Sequence, residues 1–239
     1  MKKVIRPDNL RLFAYCNDQA LKGAPRGLVL DFAGLGDSTV YDKDTPMGKM
    51  FGEEGILYCI PYLDPWNWMN GFAVRETDEI RGAIAEKYGL DAIPYVSSGK
   101  SMGGLACLVY ARYASDTPKA CVANCPVCDL LYHFSERPDL PRTLYSAFGR
   151  SDAATLDEAM ENASPLHLAE RREMPIIPYT VFHCTMDSAV NKQMHSDRFV
   201  TAMSKCAAVR SISVEGREHC DLSEDAWAEY YRAILKALK

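Results

Sequence analysis

The chain has 239 residues, a net charge of −5, 48% hydrophobic residues and 25% charged residues. This is ordinary globular composition, and the length suits one large α/β domain or two small ones. The acidic balance argues against nucleic acid or an anionic membrane surface as the main partner. No apolar run approaches the roughly 20 residues that a membrane-spanning helix needs.

Short apolar stretches alternate with helical patterns along the chain. An early edge strand is predicted at residues 9–16, and further strands at 28–32, 56–61, 93–96, 119–123, 176–183 and 209–214. Helices are predicted at 72–88, after residue 101, at 190–203 and at 222–238. Residues 126–174 read as an irregular insert in which 157–162 are helical. The alternation predicts a single α/β domain over residues 1–239 with a mostly parallel sheet.

The nine cysteines are scattered, and the first residues lack the apolar core of a signal peptide. Reduced thiols in a cytoplasmic protein are therefore expected. Cys121, Cys125 and Cys128 form a C-x3-C-x2-C cluster with His133 nearby, but the fourth ligand lacks zinc-site spacing. Burial as small apolar side chains is favoured, and no metal site is predicted.

A Gly-x-Ser-x-Gly pattern joins the apolar run 93–96 to the helical run that follows it. Gly99, Ser101 and Gly103 fill the pattern. A nucleophile at the tip of a strand-to-helix turn has a strained backbone, and side chains two residues away on either side would collide. We therefore predict Ser101 as a nucleophile, with the Met102 N–H pointing at the same space. The alternative is a turn without chemistry.

A serine nucleophile needs an imidazole that accepts its proton and a carboxylate that orients the imidazole. His219 follows the last predicted strand and is the preferred base, whereas His183 falls inside a buried strand and reads as a core histidine. Asp187 follows the strand 176–183 and is the preferred acid, unless it is the N-cap of the next helix. Asp129 is the second choice of acid and Asp221 the third.

The oxyanion that forms on attack at a carbonyl needs two fixed N–H donors. Met102 supplies one. The loop after the strand that ends near Phe32 has the sequence Ala33-Gly34-Leu35-Gly36, and Leu35 is the predicted second donor, with Gly36 as the alternative.

Together these residues resemble the α/β-hydrolase superfamily over nearly the whole chain. The Gly-Lys-Ser-Met-Gly-Gly run is similar to its nucleophile elbow, and Asp187 and His219 fall where its acid and base fall. Residues 163–176 are similar to compact esterases related to prolyl oligopeptidase and dienelactone hydrolase. The resemblance implies an α/β-hydrolase fold, with helices flanking the sheet, a small insert and no large cap. Dienelactone hydrolases use a cysteine nucleophile, so their activity is not expected with Ser101.

A dense aromatic loop follows the strand 56–61. Tyr62, Trp66 and Trp68 are predicted to contact the substrate, the two tryptophans sharing one face if the loop is extended. The alternative is a hydrophobic plug over the sheet edge. If exposed, this apolar patch would serve equally as a contact in a homo-oligomer.

The predicted function is that of a serine hydrolase, a carboxylesterase acting on small or medium esters through an acyl-enzyme, without metal or organic cofactor. Sugar-linked acetyl esters and hydroxycinnamoyl esters are the suggested substrates, on the strength of the tryptophans. A small peptidase or amidase using the same three residues, and a non-catalytic binding domain that keeps the fold, are the alternatives.

Overall fold

A seven-stranded sheet organises the protein in the computed structural model, which describes residues 4–149 and 153–239. The strands are β1 (Ala14–Cys16), β2 (Gly27–Phe32), β3 (Ile56–Pro61), β4 (Tyr95–Lys100), β5 (Ala120–Asn124), β6 (Tyr179–Cys184) and β7 (Val209–Val214). Their order across the sheet is β1-β3-β2-β4-β5-β6-β7. Only the edge strand β1 is antiparallel to its neighbour. The predicted mostly parallel sheet is confirmed.

Helices cover both faces of this sheet. They are α1 (Pro46–Glu53), α2 (Gly71–Tyr88), α3 (Met102–Tyr113), α4 (Leu130–His133), α5 (Leu140–Phe148), α6 (Leu156–Asn162), α7 (Pro165–Glu170), α8 (Arg198–Met203) and α9 (Glu224–Ala237). Alternate strand residues point to opposite faces: Leu28 and Leu30 pack in the core beneath α2 and α3, whereas Val29 packs in the core beneath α1 and α9. No helix in the described ranges is long and apolar enough to cross a membrane.

Three segments differ from the sequence-based expectation. Residues 9–16 were expected to be one strand, but Leu10–Leu12 form a 3-10 turn and only Ala14–Cys16 pair with β3. The helix expected over 190–203 begins later, as a π-helical turn at Gln193–Asp197 that continues into α8. Helix α1 was not predicted, although Thr45 caps it and a proline opens it, as helix starts favour.

The insert is more regular than expected, because residues 126–174 contain the four short helices α4 to α7. A buried polar cluster ties the insert to the segment before α8. The Nδ1 atom of His195 accepts the N–H groups of residues 128 and 129, so its Nε2 carries the proton and donates to Glu136 at 2.9 Å. The same carboxylate pairs with His133 and accepts the N–H of Asn191. Every polar atom of this carboxylate thus has a partner.

The turn between β4 and α3 depends on very close backbone contacts. A Cβ atom on Gly103 would lie 1.9 Å from the carbonyl oxygen of Phe32, at the end of β2. A Cβ atom on Gly99 would lie 2.2 Å from the carbonyl oxygen of Gly103. Since carbon and oxygen cannot approach so closely, both positions require glycine, as the sequence motif predicts.

Replacing Gly103 by alanine should destabilise the fold, because the new methyl group meets backbone that cannot move without separating α3 from β2. We expect Gly103→Ala to lower the free energy of unfolding by about 3 kcal/mol or more, measured by urea denaturation. Gly23→Ala is the matched control, since no atom lies within 4 Å of a Cβ atom there. Equal stability of the two variants would contradict the steric argument.

Replacing Glu136 by glutamine should weaken the anchoring of the insert, because an amide NH₂ group would face N–H donors. We expect Glu136→Gln to lower the free energy of unfolding at neutral pH by about 1–3 kcal/mol. The exposed Glu215→Gln is the control and should leave it unchanged.

The effect of Glu136 should also depend on pH. Burial raises the pKa of Glu136, but hydrogen bonds from His133 and His195 outweigh burial and lower it to about 2 from an ordinary 4.5. A carboxyl group whose pKa is lower in the folded than in the unfolded protein stabilises the fold at pH values above the unfolded-state pKa. This stabilisation is lost as the pH falls from about 4.5 towards 2. The stability difference between wild type and Glu136→Gln should therefore shrink over that window. A difference that stays constant there would contradict the assignment.

Candidate active site

Ser101 occupies the turn between β4 and α3 in a left-handed conformation, with φ 57° and ψ −124°. Non-glycine residues rarely adopt positive φ, and they persist there only where the surrounding structure imposes it. The N–H of Ser101 donates to the carbonyl of Asn124 on β5 at 2.9 Å, which fixes the turn against the neighbouring strand. The geometry is that of a nucleophile elbow at the carboxyl end of the sheet.

Asp187 lies in the turn after β6 and is held from two sides. Its Oδ1 accepts the N–H groups of Ala189 and Val190, each at 2.9 Å. Its Oδ2 accepts from Nδ1 of His219 at 2.7 Å. No helix begins at this turn, so Asp187 is not the N-cap considered as the alternative. The predicted acid and base are thus in direct contact.

Charge and burial set the ionisation of this pair. Burial raises the pKa of Asp187, but hydrogen bonds from His183 and His219 and from the Val190 N–H outweigh burial and hold it well below the usual range. Burial lowers the pKa of His219, but hydrogen bonds to Asp187 and Cys125 outweigh it and raise the pKa to about 9. The carboxylate is therefore ionised and favours a protonated His219.

His183 is a satisfied core histidine, as its place in a buried strand predicts. Its Nε2 donates to the carbonyl of Val190 at 3.1 Å and lies 3.3 Å from Oδ2 of Asp187. Its Nδ1 is bonded to the hydroxyl of Ser196. Both ring nitrogens of His183 are thus occupied, and the ring buttresses the acid rather than serving as a base.

Two cysteines that sequence reasoning did not connect with the site surround the Nε2 atom of His219. Sγ of Cys220 lies 3.5 Å from this nitrogen, and Sγ of Cys125 lies within 4.8 Å of both atoms. The hydrogen bond from Cys220 lowers the pKa of Cys125 to about 5 against the opposing effect of burial, and the contact with His219 lowers it further. Cys125 directly follows β5, which is the signal that could have placed it at this edge of the sheet.

His219 and Ser101 are not hydrogen-bonded to each other within the described ranges, because Nε2 of His219 faces the thiols. The elbow, the acid and the base nevertheless lie at one end of the sheet, since they follow β4, β6 and β7, which run parallel. Proton transfer from Ser101 requires the imidazole to turn from the thiols to the hydroxyl. Such contacts commonly tighten only when substrate is bound.

The loop after β2 contains both candidates for the second oxyanion donor, Leu35 and Gly36. The Gly36 N–H donates to the carbonyl of Pro65 at 2.9 Å, so this alternative donor is engaged elsewhere. The N–H of Leu35 has no protein acceptor in residues 4–149 and 153–239. Met102 is the first residue of α3, where an N–H has no acceptor within the helix. Leu35 and Met102 are therefore the backbone donors that remain available.

A cavity of about 350 Å³ opens at the carboxyl ends of β2 to β5. Gly34, Lys100 and Met102 line it, whereas Ser101, Asp187 and His219 do not. Its aromatic walls come from Tyr41, Tyr58, Tyr62, Trp227 and Tyr230. Its size is that of a pocket for a small molecule.

The aromatic loop divides into one residue that lines the cavity and two that do not. Tyr62 lines it, and its hydroxyl accepts the N–H of Tyr41 at 2.9 Å. Trp68 has a left-handed backbone, is 1% exposed and donates its indole N–H to Thr143 at 3.0 Å. The loop turns instead of extending, so the two tryptophans do not share one face, and Trp68 is buried as the alternative of a hydrophobic plug expects. Trp66 stacks beneath the guanidinium of Arg142, and its contact with substrate stays a prediction.

The other candidate acids have different partners. Asp129 caps α4 through the Tyr132 N–H and forms an ion pair with Arg198 at 2.9 Å. Asp221 is half-exposed and pairs with Arg217. Neither carboxylate contacts His219 in the described part of the chain, which leaves Asp187 as the partner of this histidine.

The sequence matches no protein-family model and no curated protein. Solved structures share the architecture. Esterase B from Lactobacillus rhamnosis is 11% identical, with a TM-score of 0.67 over 91% of this chain and 78% of its own. A propionate-bound esterase, Est2 from Thermogutta terrifontis, is 18% identical, with a TM-score of 0.64 over 94% of this chain and 88% of its own.

A third similar structure is dipeptidyl peptidase 4 from Porphyromonas gingivalis, which is 16% identical with a TM-score of 0.67. The match covers 94% of this chain but only 33% of the peptidase, so the chain spans about a third of that protein's length. Likeness at these identities concerns the fold. With its strand order, its elbow after β4 and its aspartate–histidine pair after β6 and β7, this chain has the α/β-hydrolase fold.

Proposed function

We propose that the protein is a serine hydrolase, a carboxylesterase acting on small or medium esters. The observation that carries the proposal is the Asp187–His219 hydrogen bond of 2.7 Å at the sheet edge where Ser101 sits in a strained elbow. An oriented imidazole at the same sheet edge as a partly exposed serine is the residue set that nucleophilic catalysis requires. The fold shared with two esterases supports the same reaction class.

In the proposed reaction Ser101 Oγ attacks the ester carbonyl while Nε2 of His219 takes the hydroxyl proton. Asp187 stabilises the resulting imidazolium, and the N–H groups of Leu35 and Met102 hold the oxyanion. His219 then gives its proton to the leaving alcohol, which departs and leaves an acyl group on Ser101. Water, deprotonated by His219, attacks this acyl group, and the serine is released with the acid product.

The cavity supports a substrate of modest size with an apolar or aromatic portion. Its volume of about 350 Å³ is close to the lower end of small-molecule pockets. Its tyrosines, rather than the buried Trp68, supply the aromatic surface for a hydroxycinnamoyl or similar acyl group. Lys100 lines the cavity together with Asp31, Asp37 and Asp64, so the charge of its lining does not favour a negatively charged substrate.

Amide cleavage uses the same groups, and one structure of similar fold is a peptidase. Parallel assays of a nitrophenyl ester and the matched nitroanilide separate the two functions. A carboxylesterase should show the higher kcat/KM for the ester after correction for the uncatalysed rates. A higher corrected kcat/KM for the amide would replace the proposal by a peptidase or amidase.

Ser101→Ala should abolish ester hydrolysis with the fold intact, because the side chain is small and carries no structural hydrogen bond to another described residue. We expect kcat to fall by at least about 10³-fold, as for the loss of a triad nucleophile. The exposed Ser204→Ala is the matched control and should keep wild-type kcat.

Covalent labelling gives an independent measurement of the same prediction. Intact-mass analysis after a fluorophosphonate should show one adduct, mapped to Ser101 and missing in Ser101→Ala. A folded wild-type protein that takes no adduct would favour the non-catalytic binding domain.

Asp187→Asn should impair catalysis more than the same change at the other two acids. An asparagine cannot hold an imidazolium by charge, so we expect kcat to fall by about 10²–10⁴-fold. Asp221→Asn should leave kcat within about twofold of wild type, since its carboxylate is half-exposed and paired with Arg217. Thermal melting of each variant checks folding. A larger loss of kcat in Asp129→Asn, at matched stability, would make Asp129 the acid.

A further inference from the structure

Three soft or borderline ligand atoms converge beside the candidate base. Sγ of Cys125, Nε2 of His219 and Sγ of Cys220 all lie within 4.8 Å of one another. Cys125 follows β5, whereas His219 and Cys220 are adjacent in the loop after β7. Two thiolates and one imidazole are a ligand set that binds Zn²⁺ strongly.

The distances suit a tetrahedral ion. Zinc lies about 2.3 Å from thiolate sulfur and about 2.0 Å from imidazole nitrogen, so a tetrahedral site separates these two atoms by about 3.5 Å. The separation between Nε2 of His219 and Sγ of Cys220 is 3.5 Å. The remaining atom, Sγ of Cys125, lies within 4.8 Å of both and would have to approach them by up to about 1.3 Å to complete three of four tetrahedral positions.

The surroundings of His219 match those of a metal-binding histidine. Such a histidine usually donates its second ring N–H to a carboxylate, which fixes the ring and aims the other nitrogen at the ion. Nδ1 of His219 donates to Asp187 at 2.7 Å, and Asp187 is itself held by two backbone N–H groups. His219 and Cys220 are partly exposed, so an ion can enter from solvent.

The other two groups of possible ligands do not show these surroundings of a metal-binding histidine. In the His133–Glu136–His195 group, Nδ1 of His195 accepts two backbone N–H groups and its Nε2 donates to the carboxylate. In the Cys125–His183–Asp187 group, both ring nitrogens of His183 are engaged by protein atoms. Cys121 and Cys128 lie away from Cys125, with their thiols directed to the carbonyls of Cys107 and Pro126. Among the histidines of these three groups, His219 alone has a ring nitrogen whose hydrogen-bonding partner is a thiol.

We propose that Cys125, His219 and Cys220 form a binding site for Zn²⁺, and that zinc bound there inhibits the hydrolase. The ion would take the lone pair on Nε2 of His219 with which the imidazole otherwise accepts the Ser101 proton. Binding displaces the protons held by the thiols and by Nε2 of His219 to solvent, and the fourth coordination position is left for water. The inhibitory part rests on the proposed function, whereas binding of the ion does not.

Binding is tested first in Ser101→Ala, which keeps all three ligands and has no hydrolase activity to confuse the result. The chelator-treated, fully reduced protein is titrated with Co²⁺ as a spectroscopic substitute and then with Zn²⁺. We expect one equivalent of Co²⁺ with a thiolate-to-cobalt charge-transfer band and tetrahedral visible bands, and we expect Zn²⁺ to remove both. A spectrum without the thiolate band would overturn the site.

The variant Cys220→Ser, built in the Ser101→Ala protein, tests whether Cys220 binds the metal ion. It should weaken Co²⁺ and Zn²⁺ binding at least tenfold and reduce the thiolate band. Cys206→Ser is the matched control, because Cys206 is exposed and bonded only to the nearby carbonyl of Met203. An unchanged spectrum in Cys220→Ser, or a loss of binding in Cys206→Ser, would place the ion elsewhere. Cys220 is the better target because Cys125 is fully buried and its replacement could unfold the protein.

Inhibition is tested in the protein with Ser101 present. Zn²⁺ should reduce the rate of ester hydrolysis, and a chelator should restore it. For Cys220→Ser, with rates expressed relative to the metal-free rate of that variant, half-inhibition should require at least tenfold more Zn²⁺ than in the wild type. Metal binding without inhibition would overturn the inhibitory role. Thiolate-bound Co²⁺ in a protein that hydrolyses no ester would instead refute the proposed function and leave the metal site standing.

Discussion

The close approach of α3 to the end of β2 is the constraint on which the rest of the site depends. With only hydrogen on Gly103, the helix backbone can rest directly against the carbonyl of Phe32. This contact forces the chain to leave β4 through a sharp turn, and Ser101 takes the left-handed conformation at its tip. It also brings Gly103 close to the carbonyl of Ala33, at the start of the loop that holds Leu35. One steric contact thus shapes both the turn at Ser101 and the start of the loop in which the second oxyanion donor is proposed.

The parallel order of the strands determines which residues meet at the sheet edge. Strands β4, β5, β6 and β7 are neighbours in both sequence and space. The residues that follow them, Ser101, Cys125, Asp187 and His219, therefore form a row in chain order. His219 comes from the outermost strand and must reach back across the row to meet Ser101. Cys125 and Asp187 lie between them in this row, and Sγ of Cys125 is within 4.8 Å of Nε2 of His219.

Features that depend on backbone topology could be predicted from the sequence. Features that depend on side-chain packing could not. The elbow at Ser101 and the acid and base after the last two strands follow from turn sterics and strand order. The contact of His219 with Cys125 and Cys220 depends on how three side chains tilt, which no spacing encodes. Trp68 was assigned to an exposed face because its loop was assumed to be extended, but positive φ at residues 68 and 69 folds the indole into the core. The helices of residues 126–174 are short and rest on tertiary contacts such as the Glu136 cluster, so their local signals are weak.

In the position that His219 occupies here, its Nε2 atom contacts the thiols instead of the hydroxyl of Ser101. Its Nε2 is drawn to the thiols, and these contacts together with Asp187 raise its pKa to about 9, so the folded protein favours the imidazolium. A general base must be neutral to accept a proton, and a pKa near the working pH serves it best. For the proposed catalysis, His219 would have to give up both its proton and its thiol contact. The oxyanion formed in the proposed attack would then stabilise an imidazolium turned towards Ser101 rather than towards Cys125.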